Sequence, residues 1–467
     1  MEKRSGLPPS ILGLTILLLV SLLLGLAPYP RAFTAAMRQA MTHQTAGEYS
    51  AALAAYQQAA GLSPESALPW LRMGEILLHQ HRPLETTAAF REALQRDGGV
   101  DALLGLGESY AQRGDWAQAI STWHHALAYA PQDPRIQLAL GRGAIAQQEF
   151  QQAQDYLTQV LQLEPSTDQA ASAHALLGRL LMADDPVQAA HHLRQAGDAS
   201  LLAVLDVAQA EQDPTRRSLL LGAAFLQRDE LILARHHFEQ ALSLSPGSAE
   251  AHAYLAHTLD RLGQTGRARQ LLEQALELDP DSVLAYYFLG LHHRRVGHVE
   301  EAQETLWSAL LRDTENAALR IAMAETFLEQ SDYERAEEWY QAAVQVAPED
   351  IEFHLLLAHF YLDHLYRVEE KGLAAATAAT TLVPDDARAQ DLLGWAYYLA
   401  GDADSSQETL ALALSLDPGL ASAHYHLGSL YASTGPKELA RQHLQRAIDL
   451  DEGYYRERAE ALLADLE

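Results

Sequence analysis

Histidines are the side chains of this chain most suited to metal chemistry, and there are 21 of them. Eight stand in adjacent pairs, at His124-His125, His191-His192, His236-His237 and His292-His293. Metalloprotease sites place two histidines one helical turn apart, as in His-Glu-x-x-His, so that both imidazoles reach one zinc ion. That motif does not occur here, and adjacent residues of a helix point about 100° apart. The sequence therefore predicts no metal site, and we interpret these histidines as solvated or packed side chains.

Motifs for thiol, nucleotide and calcium chemistry are incomplete. The chain has no cysteine, which excludes thiolate nucleophiles and cysteine-type zinc sites, and none of its three lysines stands in the Gly-Lys-Ser/Thr sequence of a phosphate-binding loop. Residues 141–143 (Gly-Arg-Gly) imitate a dinucleotide fingerprint, but no strand pattern precedes them. Asp402 and Asp404 begin like a calcium loop, yet Ala413 occupies the position of its essential glutamate. We predict no catalytic residue, no cofactor and no enzymatic activity.

The charge balance limits the class of partner. The chain has 62 acidic and 33 basic residues, for a net charge of -29. Such a charge repels nucleic-acid phosphates and anionic membrane surfaces. We therefore expect no nucleic-acid partner.

An apolar segment near the amino terminus is typical of membrane insertion. Residues 11–28 contain an uncharged run that follows two basic residues. As a helix the run spans roughly 25 Å, the short end of what crosses a bilayer core. We predict a short tail at 1–10 and a transmembrane anchor at 11–28, with a cleaved signal sequence as the alternative. The flanking charges favour an inside amino terminus, so we expect a single-pass membrane protein with the rest of the chain outside the cytoplasm.

A spacing of 34 residues recurs along the chain and indicates the repeated helices that would position any functional side chain. Ala234, Ala268, Ala302 and Ala336 follow this spacing. A unit of this length is a helix pair too small to bury its own apolar face, so neighbouring units must stack. The sequence therefore predicts an all-α solenoid in which every unit contacts only its two neighbours.

The best single unit lies at residues 100–133. Its small and aromatic residues stand at Leu106, Gly107, Tyr110, Gly114, Trp116, Ala119, Trp123, Ala126 and Pro131. This pattern resembles the tetratricopeptide repeat, of a membrane-anchored bacterial type. The resemblance implies a right-handed superhelical solenoid of stacked helix-turn-helix units behind one amino-terminal transmembrane helix.

Laid along the chain, the pattern predicts twelve units. Residues 33–167 hold units 1–4, and 168–214 form an irregular, elongated repeat with an additional helix or a bend. Residues 215–454 hold units 6–12, and 455–467 are expected to form a capping helix with its charges facing water.

The resemblance also implies where partners bind. In tetratricopeptide arrays the first helix of each unit lines a concave groove that holds extended peptides or partner helices. The matching positions with suitable side chains are His257, Tyr287, Arg294, His359, Asp391, Trp395, Tyr398 and Tyr425. The aromatic members provide contact area at low entropic cost, as binding hot spots do. Packing between successive first helices is the alternative explanation for them.

The expected function is a membrane-anchored scaffold for protein–protein interactions. The resemblance suggests a setting in envelope assembly, secretion or polysaccharide export. Two alternatives stay open, a cytoplasm-facing adaptor that recruits soluble partners to the membrane and an accessory subunit of a glycosyltransferase system. The expected partners are protein or peptide ligands in the groove, and the membrane through residues 11–28.

Overall fold

The structure of the chain is a computed structural model that describes residues 31–450 and 453–466. This part of the chain contains 26 α-helices and no strand. The predicted all-α fold is therefore confirmed. The predicted tail at 1–10 and anchor at 11–28 lie outside the described residues.

The chain divides into two compact units, one up to Gln169 and one from Ala170 onward. Each is a series of antiparallel helix pairs in which a first helix packs on a second. The first unit consists of α1 (Arg31–Thr45), α2 (Tyr49–Leu62), α3 (Leu68–His79), α4 (Pro83–Leu94), α5 (Gly99–Gln112), α6 (Trp116–Tyr129), α7 (Pro134–Ala146), α8 (Phe150–Gln162) and the first turn of α9 (Thr167–Leu181).

The second unit continues from α9 and carries every predicted groove residue. Its helices are α10 (Pro186–Ala196), α11 (Ala199–Ala210), α12 (Pro214–Gln227), α13 (Leu231–Leu244), α14 (Ala249–Arg261), α15 (Thr265–Leu278), α16 (Val283–Arg295), α17 (Val299–Leu310), α18 (Ala317–Glu329), α19 (Tyr333–Val346), α20 (Ile351–Asp363), α21 (Leu373–Leu382), α22 (Ala387–Leu399), α23 (Ala403–Leu416), α24 (Ala421–Thr434), α25 (Lys437–Leu450) and α26 (Tyr454–Asp465).

Helix starts follow from short polar side chains. Ser248, Ser282, Asn316 and Asp386 each precede a first helix and accept a hydrogen bond from a backbone N–H of its first turn. Those N–H groups have no partner within the helix, so a capping side chain adds about 1 kcal/mol to helix stability. The caps fix where these four first helices begin.

Small residues bring the two helices of a pair together. The four alanines at the 34-residue spacing lie on second helices and are fully buried. On the first helices, glycines leave room for a large side chain of the second: a Cβ added to Gly222 would lie 2.5 Å from Phe238, and one added to Gly394 would lie 2.6 Å from Leu410. Such distances leave no space for a methyl group, so these two pairs need glycine there.

Two segments depart from regular pairs. The elongated segment contains the three helices α9, α10 and α11 rather than two. Beyond α20, a π-helical turn at Val368–Gly372 precedes α21. Glu337 of α19 is buried beneath this turn, accepts a hydrogen bond from the Tyr361 hydroxyl at 2.6 Å, and pairs with Arg367 and Lys371. These contacts hold the inserted residues against the neighbouring pair.

The predicted localisation needs correction. Across residues 31–450 and 453–466, no helix combines the length and the apolar character needed to cross a bilayer. The longest helices, α1 and α9, have 15 residues, whereas a hydrocarbon core needs about 20. This finding contradicts the prediction of a single-pass membrane protein with extracytoplasmic repeats, and that prediction is wrong. The segment on which that prediction rested, residues 11–28, is outside the part of the chain that the structure describes.

Candidate partner-binding groove

All eight predicted groove residues lie on first helices of the second unit. His257 is on α14, Tyr287 and Arg294 are on α16, and His359 is on α20; Asp391, Trp395 and Tyr398 are on α22, and Tyr425 is on α24. Their ring contacts are within the same first helix, with other first helices and with α26. We call this side of the first helices the inner face.

Four rings form one contiguous surface at the carboxy-terminal end of the inner face. Trp395 stacks on Tyr398 with ring centroids 4.9 Å apart, and its centroid lies 6.2 Å from that of Tyr425. Tyr425 in turn lies 5.7 Å from Tyr455 of α26. We refer to Trp395, Tyr398, Tyr425 and Tyr455 as the ring cluster. All four are half-buried, so each keeps part of its surface open to solvent.

A buried polar pair supports the ring cluster from below. Asp391 and His426 are 2% and 4% exposed, and their Oδ1 and Nδ1 atoms lie 2.7 Å apart. The imidazole of His426 also stacks on Trp395 at 4.3 Å between centroids. The hydrogen bond joins α22 to α24 and fixes the plane on which the indole rests. Asp391 therefore positions rings rather than presenting its carboxylate to a partner.

The sequence analysis did not identify Tyr455 or His426. Continuing the 34-residue register beyond residue 454 would have made α26 equivalent to a first helix, with Tyr455 at its start. His426 carries no such signal, because only the packing of α22 on α24 brings it to Asp391. Burial, followed by the charges of Asp391 and Asp363, raises the pKa of Tyr455, which keeps its phenol neutral.

A second group of rings packs together on α14 and α16. His257 stacks on Phe288 with centroids 4.3 Å apart, and Tyr287 lies 5.5 Å from the same ring. Burial, with a smaller contribution from Arg261, lowers the pKa of His257 to about 4. The imidazole is thus neutral at physiological pH. It packs as an aromatic ring and offers no positive charge to a ligand.

The side chains of the remaining two predicted residues contact carboxylates. Arg294 contacts Glu325 of α18, and its Nε atom lies 3.3 Å from Glu329. The Nδ1 atom of His359 lies 3.2 Å from Asp363 one turn further along α20. Both pairs are partly exposed. They line the inner face but leave less apolar surface than the ring cluster.

A second buried aspartate links two first helices at the start of this region. Asp260 of α14 lies 2.8 Å from Nδ1 of His292 and accepts two hydrogen bonds from Arg295, the one from Nε measuring 2.7 Å. Burial alone would raise the pKa of Asp260, but the hydrogen bonds from Arg295 and His292 outweigh burial and lower it. We call Asp260, His292 and Arg295 the polar lock.

Within residues 31–450 and 453–466, no group of three or more histidines, aspartates or glutamates is arranged to hold a metal ion. The site therefore consists of rings, two buried acid–imidazole pairs and surface ion pairs. Such an arrangement provides contact area and hydrogen bonds.

The fold and this inner face define a helical repeat protein of the kind that binds other proteins. Two family models, both of the tetratricopeptide repeat, match the chain and together cover more than half of it. One matches residues 77–143, 225–291, 261–315 and 293–360, and the other matches 37–101 and 392–455. The chain belongs to the tetratricopeptide repeat family. The matches do not support the narrower membrane-anchored bacterial type.

Solved structures of other repeat proteins also match the chain. Yeast Tom70 is 15% identical over 93% of this chain and 95% of its own, with a TM-score of 0.45. YrrB, described as a TPR protein with an unusual peptide-binding site, is 23% identical over 40% of this chain and 95% of its own, with a TM-score of 0.31. PilF of Pseudomonas aeruginosa is 20% identical over 45% and 94%, with a TM-score of 0.36. No curated protein matches significantly.

Proposed function

We propose that this protein is a non-enzymatic scaffold that binds an extended segment of a partner protein on the inner face of its second unit. The ring cluster is the anchor of that site. The observation that carries the proposal is the continuous, half-open surface of Trp395, Tyr398, Tyr425 and Tyr455.

The ring cluster suits binding because its side chains are already held in place before a partner binds. Trp395 is held between Tyr398 and His426, so it loses little rotamer freedom when a ligand covers it. Aromatic residues with a fixed orientation and a partly exposed face are typical binding hot spots. Packing between first helices and partner binding are therefore compatible roles for the same rings.

Charge favours a partner segment with a basic residue beside its apolar anchor. Asp363 and Asp391 both act electrostatically on Tyr455, and the whole chain has a net charge of -29. A lysine or arginine would gain from the net negative charge of the chain and from contact with an exposed part of a ring of the cluster, an attraction of about 0.5–2 kcal/mol. We therefore expect the bound segment to pair an apolar side chain with a cation.

The biological setting belongs to this proposal as well. Envelope assembly, secretion, polysaccharide export and support of a glycosyltransferase system are the settings that the resemblance suggests. Each predicts a different partner, so the identity of the bound protein distinguishes them.

The test is affinity capture with two matched double variants of the full chain. Trp395→Ala plus Tyr398→Ala removes two rings of the cluster. Trp307→Ala plus Trp339→Ala removes an edge-to-face pair, 6.1 Å between centroids, on second helices α17 and α19. At equal helicity by circular dichroism, we expect the first variant to lose a specific set of partners and the second to keep it. The proposal fails if the first variant retains them.

A further inference from the structure

Two pairs of histidines meet between the helices of a repeat, and neither is a pair of sequence neighbours. His174 of α9 and His192 of α10 have their Nδ1 atoms 2.7 Å apart. His424 of α24 and His443 of α25 have theirs 3.0 Å apart. The members are 18 and 19 residues apart in sequence, so no motif of adjacent or one-turn spacing reveals them.

The two pairs occupy the same position in their repeats. In each, the first histidine stands four residues before a glycine, Gly178 or Gly428, on the first helix. The second stands one residue before the leucine that packs on that glycine; a Cβ on either glycine would lie 2.8 Å from this leucine. The contact of glycine with leucine therefore sets the distance between the imidazoles. Two repeats have acquired the same constellation at the same place.

The His424 imidazole is also oriented for ligation. Its Nε2 atom lies 3.2 Å from the carbonyl oxygen of Pro418. A carbonyl only accepts, so Nε2 carries the proton and the Nδ1 lone pair points toward His443. Metal-binding histidines in proteins are commonly held in this way, with the second ring nitrogen donating to a carbonyl or carboxylate.

We propose that each pair, His174 with His192 and His424 with His443, binds one divalent transition-metal ion of the kind that prefers imidazole, such as Zn²⁺. The ion takes the place of the proton between the two Nδ1 atoms, and that proton moves to the Nε2 atom of the ring that carried it, so both imidazoles stay neutral. Two nitrogens on one zinc ion lie roughly 3.3 Å apart in tetrahedral geometry, so small side-chain rotations are enough to open the observed distances. Two imidazoles and solvent complete a site that clamps a first helix to its second helix.

The surroundings permit a cation at both places. Charges of opposite sign, Asp391 and Arg446, act on His424. Beside the other pair, the ring of His191 lies 5.4 Å from that of His192 and 6.2 Å from that of His174. Burial lowers the pKa of His443 to about 4, and also lowers the pKa of His174, His192 and His424, so the four rings are neutral and able to donate lone pairs at neutral pH.

The experiment is isothermal titration of the full chain with Zn²⁺ alone, in a non-chelating buffer near neutral pH. We expect two strong sites per chain. His192→Gln and His443→Gln should each remove one, and the double variant should remove both, since a lone imidazole binds at least about tenfold more weakly than a preorganised pair. His125→Gln, which changes an exposed histidine of α6, is the control and should keep both sites.

A gain-of-site variant makes the test independent of loss by misfolding. Gln390 and Thr409 occupy the equivalent positions around Gly394 and Leu410, so Gln390→His plus Thr409→His should add a third strong site. The proposal is overturned if the wild-type chain has no strong site, or if the His192→Gln plus His443→Gln chain binds as many ions as the wild type. If only one of the two single variants loses a strong site, the proposal is overturned for the pair that the other variant changes. Circular dichroism confirms equal helicity.

Discussion

The polar lock and the base of the ring cluster contain the same aspartate–histidine contact, but different side chains cover it. In both, a buried aspartate of one first helix bonds to Nδ1 of a histidine on the next, Asp260 to His292 at 2.8 Å and Asp391 to His426 at 2.7 Å. At the lock, Arg295 satisfies the remaining acceptor capacity of the carboxylate. At the ring cluster, Trp395 covers the imidazole instead.

This difference separates stability from recognition. Arg295 pairs with Asp260 and covers its carboxylate with a polar group. The polar lock therefore offers a partner little apolar surface. At the ring cluster, Trp395 stacks on both Tyr398 and His426, and the exposed parts of the four half-buried rings form the surface of the inner face. The same acid–imidazole pair thus joins helices in one place and supports a binding surface in the other.

The largest effect is expected from removing the two aspartates. Asp260→Ala should destabilise the second unit by about 3 kcal/mol, because it leaves a buried histidine and an arginine without their partner. Asp391→Ala should cost about 2 kcal/mol, because only one hydrogen bond to a buried imidazole is lost. Chemical denaturation followed by circular dichroism measures both.

The control is Asp281→Ala, whose carboxylate is exposed and pairs with Arg312. It should change stability by less than about 1 kcal/mol. An equal loss for Asp260→Ala and Asp391→Ala would show that Arg295 adds nothing to the lock.

An intermediate loss of stability is expected when the pH is lowered, because of His257 on the inner face. Because the pKa of His257 is lowered to about 4 in the folded chain, the unfolded chain binds its proton first as the pH falls below about 6.5. The contribution of His257 to stability is therefore complete above about pH 6.5 and declines down to about pH 4, by roughly 2 kcal/mol after allowance for partial exposure. His257→Gln should flatten this part of the stability profile.

Denaturation midpoints of wild type and His257→Gln, measured between about pH 7 and pH 4, test this prediction. His125→Gln is the matched control, because its exposed ring should leave the profile unchanged. Parallel profiles for wild type and His257→Gln would contradict the assignment of a neutral, stacked imidazole.

The smallest effect is expected at the ion pair between Arg294 and Glu325. Both side chains are partly exposed, at 26% and 35%, so their attraction is screened by solvent. Arg294→Gln should cost less than about 1 kcal/mol, and the cost should shrink further in high salt. A double-mutant cycle with Glu325→Gln measures the coupling; a loss above about 2 kcal/mol would mean that the pair is part of the lock.

The repeat itself was predictable from sequence, whereas particular side-chain contacts between helices were not. The spacing of Ala234, Ala268, Ala302 and Ala336 reports local helix packing, which recurs in every unit. The contact of Asp391 with His426, and the meeting of His424 with His443, depend on side-chain directions across neighbouring helices. Adjacent histidines were the visible pattern in the sequence, but the imidazoles that meet belong to different helices.

The most direct test of the central claim is site-specific photo-crosslinking to the captured partner. A photoreactive phenylalanine analogue replaces Tyr398 in the ring cluster in one chain. In the other it replaces Trp307 on second helix α17, which is 51% exposed and therefore accessible to a partner. The ring cluster as anchor predicts crosslinks from position 398 to a partner segment with an apolar residue beside a basic one. Crosslinks from position 307 and none from position 398 would contradict it.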